Sequence, residues 1–464
     1  MKRIVLTMSI FMMTLMLSGC SFTLPTKIAE QPKIENIEFL EQNDEVVEYL
    51  INFTDGTTQT ITISNQEVAP SNEITVNDLY QAALEAGFTG SMLDFIDTYV
   101  DVTVTNDYTK AVQKGLRSSV SVRALFRRVE IINPIFGIPR ETTVEYGSAG
   151  SGVIYKLDKS SGTAYIITNH HVVYDSNSNT SNKISDEIYI SLYGLEQPSN
   201  QIRATYVGGS ETYDIAVLKV TQSEIIKNSM AGKISYVNSD NLQAGDVAIA
   251  IGNPENNGIS TTQGIISLES EYIEMANSNN TDSITYRVMR VDTGINSGNS
   301  GGGLFNANGD LIGIVNAKMV DTSIESIGYA IPSNIVINVS DNIIYHSDNK
   351  ANEKVKKAFL GITMKVDETI VSYNENVDRI VIKESVKVDS INVGSLASLY
   401  FEVNDEIVSI TLKGVTYQIN RLYQISDLLL KVRSNDTVTF TVNRNSVITD
   451  LEIKFLEQNF IIVD

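Results

Sequence analysis

Residues 298–315 read GNSGGGLFNANGDLIGIV, a serine among glycines followed by a strand pattern, a turn and a second strand pattern. Glycine has no Cβ, so a serine flanked by glycines can expose its hydroxyl to an approaching substrate backbone. The stretch also satisfies the G-x-S-x-G elbow of α/β-hydrolases, but that elbow must lead from a strand into a helix. Strand, turn and strand follow Ser300 instead, and the only later histidine, His346, lies in a polar stretch. The context therefore argues against an α/β-hydrolase esterase.

Two upstream stretches place an imidazole and a carboxylate at the ends of apolar strands. Residues 164–167 have a buried-strand pattern and run into TNHHVV at 168–173. Farther along, Asp214 precedes the apolar run of residues 215–218. Short strands separated by Gly, Asn, Asp and Ser turns continue over residues 118–344, a spacing typical of an all-β barrel or sandwich.

Together these stretches resemble the HtrA/DegP family of trypsin-like serine proteases, because several separated motifs occur in the family's order. The family's T-N-x-H-V, D-x-A-x-L, I-G-N-P, T-x-G-I-I-S and G-N-S-G-G segments match residues 168–172, 214–218, 251–254, 262–267 and 298–302. The resemblance implies a mainly β fold with a chymotrypsin-like double β-barrel over residues 118–345. In that fold two six-stranded antiparallel barrels hold a catalytic triad between them.

The resemblance assigns the base to His171 rather than His170, the acid to Asp214 and the nucleophile to Ser300. A serine hydroxyl is a weak nucleophile and needs a base within hydrogen-bond reach. An imidazole can take that proton and return it to the leaving amine, while the aspartate holds the productive tautomer. The backbone amides of Gly298 and Ser300 would form the oxyanion hole. This mechanism requires no metal ion and no cofactor.

The sequence also bears on substrate specificity. Trypsin has an aspartate six residues before its nucleophile, and Gly294 occupies that position here, which disfavours cleavage after arginine or lysine. An apolar pocket could be formed by Ile295 together with Ile314 and Val315, in agreement with the family's preference for small aliphatic residues. Simple core packing explains Ile295 equally well.

A second resemblance covers the C-terminal residues 358–458, which look like an α+β PDZ domain. The carboxylate-binding loop of that domain is matched by Phe359, Leu360, Gly361 and Ile362. Leu396 and Asn404 replace a proline and a glycine of the family pattern. In such domains the C-terminus of a peptide adds as a strand and backbone amides bind its carboxylate. A helix over about residues 425–432 would border the groove, although its apolar residues could equally belong to the core.

The N-terminal residues indicate export. Residues 1–19 combine a basic start with a short apolar stretch, as in a secretory signal. The run LSGC at 17–20 resembles a bacterial lipobox and predicts a lipid on Cys20, the only cysteine. Residues 20–33 read as a tether and 34–100 as a small α+β module with a hairpin and helices. A charged linker is expected over residues 346–357.

Composition narrows the classes of function. With 35 basic and 56 acidic residues the net charge is −21, which disfavours nucleic-acid binding. One cysteine excludes a disulfide framework and a multi-cysteine zinc site. The expected function is a lipid-anchored, extracytoplasmic serine endopeptidase that cleaves unfolded or damaged proteins, assembled as a homotrimer by resemblance to the family. The alternative is a catalytically inactive chaperone or PDZ scaffold on a protease fold.

Overall fold

The computed structural model describes residues 34–42, 46–53, 58–64, 80–81, 84, 108–132, 140–254, 258–276, 283–317, 327–347, 353–375 and 379–463. The chain divides into two compact units, Met1–Asp107 and Tyr108–Asp464. The predicted signal 1–19, Cys20 and the tether lie outside the described residues.

The first unit contains a three-stranded antiparallel sheet. Its strands are β1 (Ile34–Gln42), β2 (Val46–Phe53) and β3 (Thr58–Ser64). Strands β2 and β3 form the predicted hairpin, whose turn lies outside the described residues. Of the helices predicted in this module, positions 80, 81 and 84 are described, and all three are helical.

The second unit begins with helix α1 (Thr109–Ser118) and a closed six-stranded barrel, here called barrel 1. Its strand order is β4-β5-β6-β9-β8-β7, all antiparallel. The strands are β4 (Ser119–Ile132), β5 (Arg140–Asp158), β6 (Thr163–Thr168), β7 (Glu187–Leu192), β8 (Ile202–Ser210) and β9 (Ile215–Val220). Helix α2 (His170–Val173) follows β6, and helix α3 (Glu224–Asn228) follows β9.

A second closed barrel, barrel 2, follows with the order β10-β11-β12-β15-β14-β13. Its strands are β10 (Val247–Gly252), β11 (Ser260–Ala276), β12 (Ser283–Val291), β13 (Gly303–Phe305), β14 (Leu311–Val315) and β15 (Gly328–Pro332), and helix α4 (Ser333–Ser347) comes next. The prediction of a mainly β protein with two six-stranded barrels is therefore confirmed. Two closed antiparallel barrels are incompatible with an α/β-hydrolase.

The C-terminal part of this unit is an α+β module with its own apolar core. Its main sheet has the order β17-β18-β19-β21-β22, with β20 beside β19, and β16 pairs with β23 separately. The elements are β16 (Val355–Ala358), β17 (Ile362–Asn374), β18 (Arg379–Ile391), β19 (Glu406–Leu412), β20 (Val415–Gln418), α5 (Leu422–Leu429), β21 (Thr437–Arg444), β22 (Val447–Lys454) and β23 (Phe460–Val463).

The stretch predicted as a linker, residues 346–357, belongs at its described ends to helix α4 and strand β16. Helix α4 continues to Ser347, and β16 begins at Val355, whose side chain is fully buried. The Glu353 amide donates to the Val207 carbonyl at 3.1 Å, so this stretch pairs with barrel 1. Charged side chains at the surface suggested a linker, whereas the backbone and one apolar side chain belong to the fold.

Buried polar contacts hold the C-terminal module against barrel 2. Arg287 of β12 pairs with Asp427 of α5, and its guanidinium lies 4.1 Å from the centre of the Tyr423 ring. Gln424 donates to Asp240 at 3.0 Å. Burial raises the pKa of Asp427 to about 6, although the charge of Arg287 acts in the opposite direction. Helix α5 therefore packs on the barrel through charged and aromatic groups.

Candidate active site

The pairing of β6 with β9 brings His171 next to Asp214. Thr168 at the end of β6 lies opposite Ala216 near the start of β9, so the residues that follow β6 and precede β9 meet at one end of barrel 1. The His171 ring Nδ1 lies 2.7 Å from Asp214 Oδ2. The His171 backbone amide donates to Asp214 Oδ1 at 3.0 Å. The carboxylate therefore fixes both the backbone and the ring of this histidine.

Asp214 adopts a left-handed backbone conformation, with φ of 49°. Most side chains are strained there, and aspartate is one of the few that tolerate it. The Asn169 side chain donates to the Asp214 carbonyl at 2.8 Å, and the His170 amide donates to the same oxygen at 3.2 Å. These two bonds hold the turn that directs the carboxylate towards His171.

The electrostatics of the pair favour an ionised aspartate. Asp214 is 4% exposed. Burial alone would raise its pKa, but the charge of His171 and the hydrogen bonds that His171 donates outweigh burial and lower the pKa. An ionised carboxylate at this position stabilises a protonated imidazole. The His171 side chain remains 21% exposed and is accessible to solvent.

Glycine geometry shapes the loop that carries Ser300. Gly298 and Gly301 have φ of 94° and 84°, which favours glycine. A Cβ on Gly301 would also lie 2.2 Å from the Ser151 carbonyl oxygen. Ser151 of β5 donates from its amide to the Ser300 carbonyl and from its hydroxyl to the Gly298 carbonyl, both at 2.8 Å. Barrel 1 therefore holds the serine loop of barrel 2.

Two consecutive residues after β14, here called the strap, contact both the serine and the aspartate. The Ala317 amide donates to Ser300 Oγ at 3.2 Å, and the Asn316 side chain donates to Asp214 Oδ2 at 2.6 Å. Among the described residues, Ser300 Oγ makes no hydrogen bond to His171. The strap thus places the three side chains along one continuous path, Ser300–strap–Asp214–His171.

The oxyanion amides proposed from the sequence lie on the same loop. Within the described part of the chain, neither the Gly298 amide nor the Ser300 amide donates a hydrogen bond. The neighbouring amides of Asn299 and Gly301 are both used, by the carbonyls of Asn296 and Val315. The two amides named from the sequence thus have hydrogen-bonding capacity left for a ligand.

Comparison with known proteins agrees with this architecture. Residues 150–314 match a family model described as a trypsin-like peptidase domain. A serine protease Do-like HtrA of Lactococcus lactis subsp. lactis is 31% identical over 76% of this chain and 83% of its own length. This chain belongs to the HtrA family of serine proteases.

Two further relatives differ in coverage. The Do-like HtrA of Lactococcus lactis subsp. cremoris is 33% identical over 60% of this chain and 65% of its own length. A protein of Buchnera aphidicola subsp. Baizongia pistaciae, described as a probable periplasmic serine endoprotease DegP-like, is 35% identical over 56% of this chain and 49% of its own length. The chain thus spans just under two thirds of one of these relatives and about half of the other.

The residues predicted to form a specificity pocket are buried in the cores of this HtrA chain. Ile314 and Val315 are fully buried in β14, and Ile295 is 8% exposed. A Cβ placed on Gly328 would lie 2.5 Å from the Ile295 side chain, so β15 packs tightly there. Core packing accounts for all three side chains, and their role in a pocket stays a prediction.

The predicted carboxylate loop lies at the start of β17. Phe359 is 44% exposed, Leu360 is 3% exposed, and Gly361 has φ of 81°. Ile362 is the first residue of β17. Within the described residues, the amides of Leu360 and Gly361 donate no hydrogen bond, whereas their carbonyls accept from Ala397 and Asn392.

The other two histidines have positions that the sequence did not predict. His170 begins helix α2, and its ring stacks on that of Tyr174 with 4.9 Å between the ring centres. His346 was expected in a solvated linker, but it lies in the last turn of α4, edge-on to Tyr345. Neither residue is part of the path that joins Ser300 to His171.

Sequence reasoning missed the supporting residues Ser151, Asn316 and Ala317. Asn316 is fully buried directly after a strand in which every side chain is buried. A buried amide at that point must find a hydrogen-bond partner, because an unpaired polar group in a core is costly. That signal identifies Asn316 as a special position, but not its partner on the other barrel.

We expect Asn316→Ala to lower kcat about tenfold or more, because a hydrogen bond to a charged group contributes about 1.5–3 kcal/mol. Steady-state kinetics on a peptide substrate would measure the change, with KM nearly constant. Asn342→Ala is the matched control, because Asn342 is also fully buried but donates to the carbonyls of Lys356 and Leu430. A control that loses as much kcat as Asn316→Ala would contradict a specific effect on Asp214.

Proposed function

We propose that this chain is a serine endopeptidase in which Ser300, His171 and Asp214 form the catalytic triad. Ser300 Oγ bonds to the scissile carbonyl carbon while its proton passes to His171 Nε2. The same proton then goes to the leaving amine as the peptide bond breaks, and water later releases the acyl group. The path from Ser300 through the strap to Asp214 and His171 is the observation that carries this proposal.

The Ser300 hydroxyl must come within hydrogen-bond distance of His171 to react. It accepts from the Ala317 amide in the free protein, and His171 is fixed by Asp214. A serine side chain changes rotamer at little cost, and catalytic hydrogen bonds often tighten only when substrate binds. Substrate that displaces the Ala317 contact would leave the hydroxyl free to bond to His171.

The amides of Gly298 and Ser300 would then bind the oxyanion. A backbone donor at such a site contributes about 3 kcal/mol to the transition state. Both amides are without an acceptor among the described residues, which supports this assignment. The absence of an acidic side chain at Gly294 supports cleavage after uncharged rather than basic residues.

Unfolded or damaged extracytoplasmic polypeptides are the proposed substrates. The N-terminal signal supports export, and one relative carries the description of a periplasmic endoprotease. A catalytically inactive chaperone or scaffold is the competing function, and it differs in one respect: Ser300 would have no chemical role.

We expect the full chain to degrade casein and Ser300→Ala to lose about a thousandfold or more of that activity. A serine-directed phosphonate should label Ser300, as mapped by peptide mass spectrometry. Ser340→Ala is the control, because Ser340 is fully buried in α4 and its hydroxyl has no hydrogen-bond partner among the described residues. If wild type and Ser300→Ala are equally inert while both suppress aggregation, the scaffold function is correct.

The C-terminal module is proposed to bind the C-termini of peptides at residues 359–362. The free amides of Leu360 and Gly361 support capture of a carboxylate. Lys357 adds a positive charge two residues before the loop, and its ammonium donates to Ser426 Oγ on α5. Burial lowers the pKa of Lys357, so a ligand carboxylate would stabilise its charged form.

We expect Lys357→Met to weaken binding of a peptide with a free C-terminus by about tenfold, the effect of losing one charged hydrogen bond. Fluorescence anisotropy in a Ser300→Ala background, which prevents digestion, would measure the Kd. Lys413→Met is the control, because Lys413 is exposed, pairs with Asp436 and lies outside β17. Equal Kd values for the carboxylate and the amidated peptide would refute a carboxylate site.

Attachment to a membrane is proposed to occur through a lipid on Cys20. The run LSGC at 17–20 after a short apolar segment supports this. None of the helices in the described residues is both long and apolar enough to span a bilayer. Assembly as a homotrimer stays a prediction from the family resemblance.

We expect wild type to sediment with membranes and to incorporate labelled palmitate, and Cys20→Ala to do neither. Ser21→Ala, which changes the next residue and leaves the thiol, is the control. Membrane retention of Cys20→Ala without label would show that another segment anchors the chain.

A further inference from the structure

The short turn that carries Asp214 adopts a strained backbone conformation. We call residues 211–214, which join β8 to β9, the aspartate turn. Within it the Asp214 amide donates to the Glu211 carbonyl at 3.1 Å. Asp214 has a positive φ, and a residue other than glycine keeps that conformation only where the surrounding contacts fix it. The contacts of the aspartate turn therefore decide where the carboxylate points.

Barrel 1 holds one end of this turn, and barrel 2 holds the other. At the Asp214 end, the Asp214 carbonyl accepts from Asn169 and His170, both of which follow β6. At the Glu211 end, the hydroxyl of Tyr286 on β12 donates to the Glu211 carbonyl at 3.2 Å. This carbonyl thus accepts from the Asp214 amide and from barrel 2, which uses both of its lone pairs.

The position of Tyr286 is set by the packing of barrel 2. Tyr286 is 5% exposed. Its ring packs in an apolar cluster of β11, β12 and β15 that also contains Val288, Ile273, Met275, Ile284 and Tyr329. Because the ring is packed in this cluster, its hydroxyl reaches the aspartate turn from a fixed point on barrel 2.

The Tyr286 hydroxyl also keeps its proton. Burial and the negative charges of Asp214 and Glu211 raise the pKa of Tyr286 above its usual value. A phenol that stays protonated remains a donor at every pH at which a histidine acts as a base. Because the charge of Asp214 acts on this phenol, the two side chains lie close enough to interact through space.

We propose that Tyr286 is a positioning residue, whose hydroxyl holds the aspartate turn so that the carboxylate of Asp214 faces His171. This inference rests on the proposed triad and adds to it a residue that acts through Asp214. The His171 ring Nδ1 lies 2.7 Å from Asp214 Oδ2, and such a bond weakens when one partner turns away. With the hydroxyl removed, the Glu211 end loses its donor from barrel 2, and the strained Asp214 backbone can relax.

The variant Tyr286→Phe removes this donor and keeps the ring in its cluster. In the full chain we expect kcat on a peptide substrate to fall about fivefold, the effect of losing one neutral hydrogen bond, with KM unchanged. Tyr155→Phe is the matched control, because Tyr155 is also buried and its hydroxyl bonds to Asp341 of α4. The control should keep the kcat of wild type, and the two variants should have similar midpoints of thermal unfolding.

A double-mutant cycle separates positioning from a general loosening of the fold. Tyr286→Phe should lower kcat/KM in the wild-type background and have no effect in an Asp214→Asn background, because the carboxylate that it directs is then absent. General loosening would lower kcat/KM by the same factor in both backgrounds. An activated ester substrate makes the low activity of Asp214→Asn measurable, with Ser300→Ala as the blank. Placing 4-aminophenylalanine at position 286 returns a donor to the same place and should restore kcat.

Failure of the positioning role can be told apart from failure of the proposed triad. A Tyr286→Phe variant with the kcat of wild type overturns the positioning role and leaves the triad unaffected. An equal loss in Tyr155→Phe, or an equal loss in the Asp214→Asn background, overturns it in the same way. If Asp214→Asn itself retains the kcat of wild type, the triad is wrong, and the positioning role of Tyr286 is wrong with it.

Discussion

The buried carboxylate of Asp214 is the constraint on which the rest of the site depends. Burial disfavours a charged carboxylate, so the fold must supply donors to keep it ionised. His171 donates from its backbone and faces the carboxylate with its ring, and Asn316 donates from its side chain. His171 follows a strand of barrel 1 and Asn316 follows a strand of barrel 2. Donors from both barrels therefore meet at this carboxylate, which couples the chemistry of the site to the packing of the fold.

The loop that carries Ser300 is likewise held by donors from both barrels. Ser151 on barrel 1 donates to two carbonyls of the loop, and Ala317 on barrel 2 donates to the hydroxyl of Ser300. The backbone of the loop is thus held from both barrels, since Gly301 also donates to the Val315 carbonyl, while the side chain of the proposed nucleophile makes one bond to the strap. A single weak contact leaves the hydroxyl able to change rotamer, whereas its Cα stays in place. Rigid placement with one mobile torsion is what a nucleophile needs.

Local patterns in the sequence predict the strands, and the resemblance carried by several separated motifs implies the two barrels and the proposed triad residues. Apolar strand patterns, turn residues and the motif around Ser300 can each be read within about a dozen positions. The contact between Asn316 and Asp214 joins residues 102 positions apart, and no local pattern encodes it. The same limit applies to residues 346–357, since the pairing of Glu353 with Val207 depends on barrel 1. The charged residues of that stretch indicated an exposed segment, but they gave no sign that Val355 is buried.

Asp214 and Asp427 are both buried, but their pKa values are shifted in opposite directions. In Asp214 the donors of His171 outweigh burial and lower the pKa. In Asp427 burial outweighs the pairing with Arg287, the nearby charge of Asp240 adds repulsion, and the pKa rises to about 6. The lowered pKa of Asp214 contributes stability that is lost on acidification. The raised pKa of Asp427 has the opposite effect, because the folded state takes up a proton and gains stability as the pH falls through about 6. Mild acid therefore protonates Asp427 in the folded state, while only stronger acid removes the charge of Asp214. The attachment of the C-terminal module and the charge of the proposed triad consequently depend on different ranges of pH.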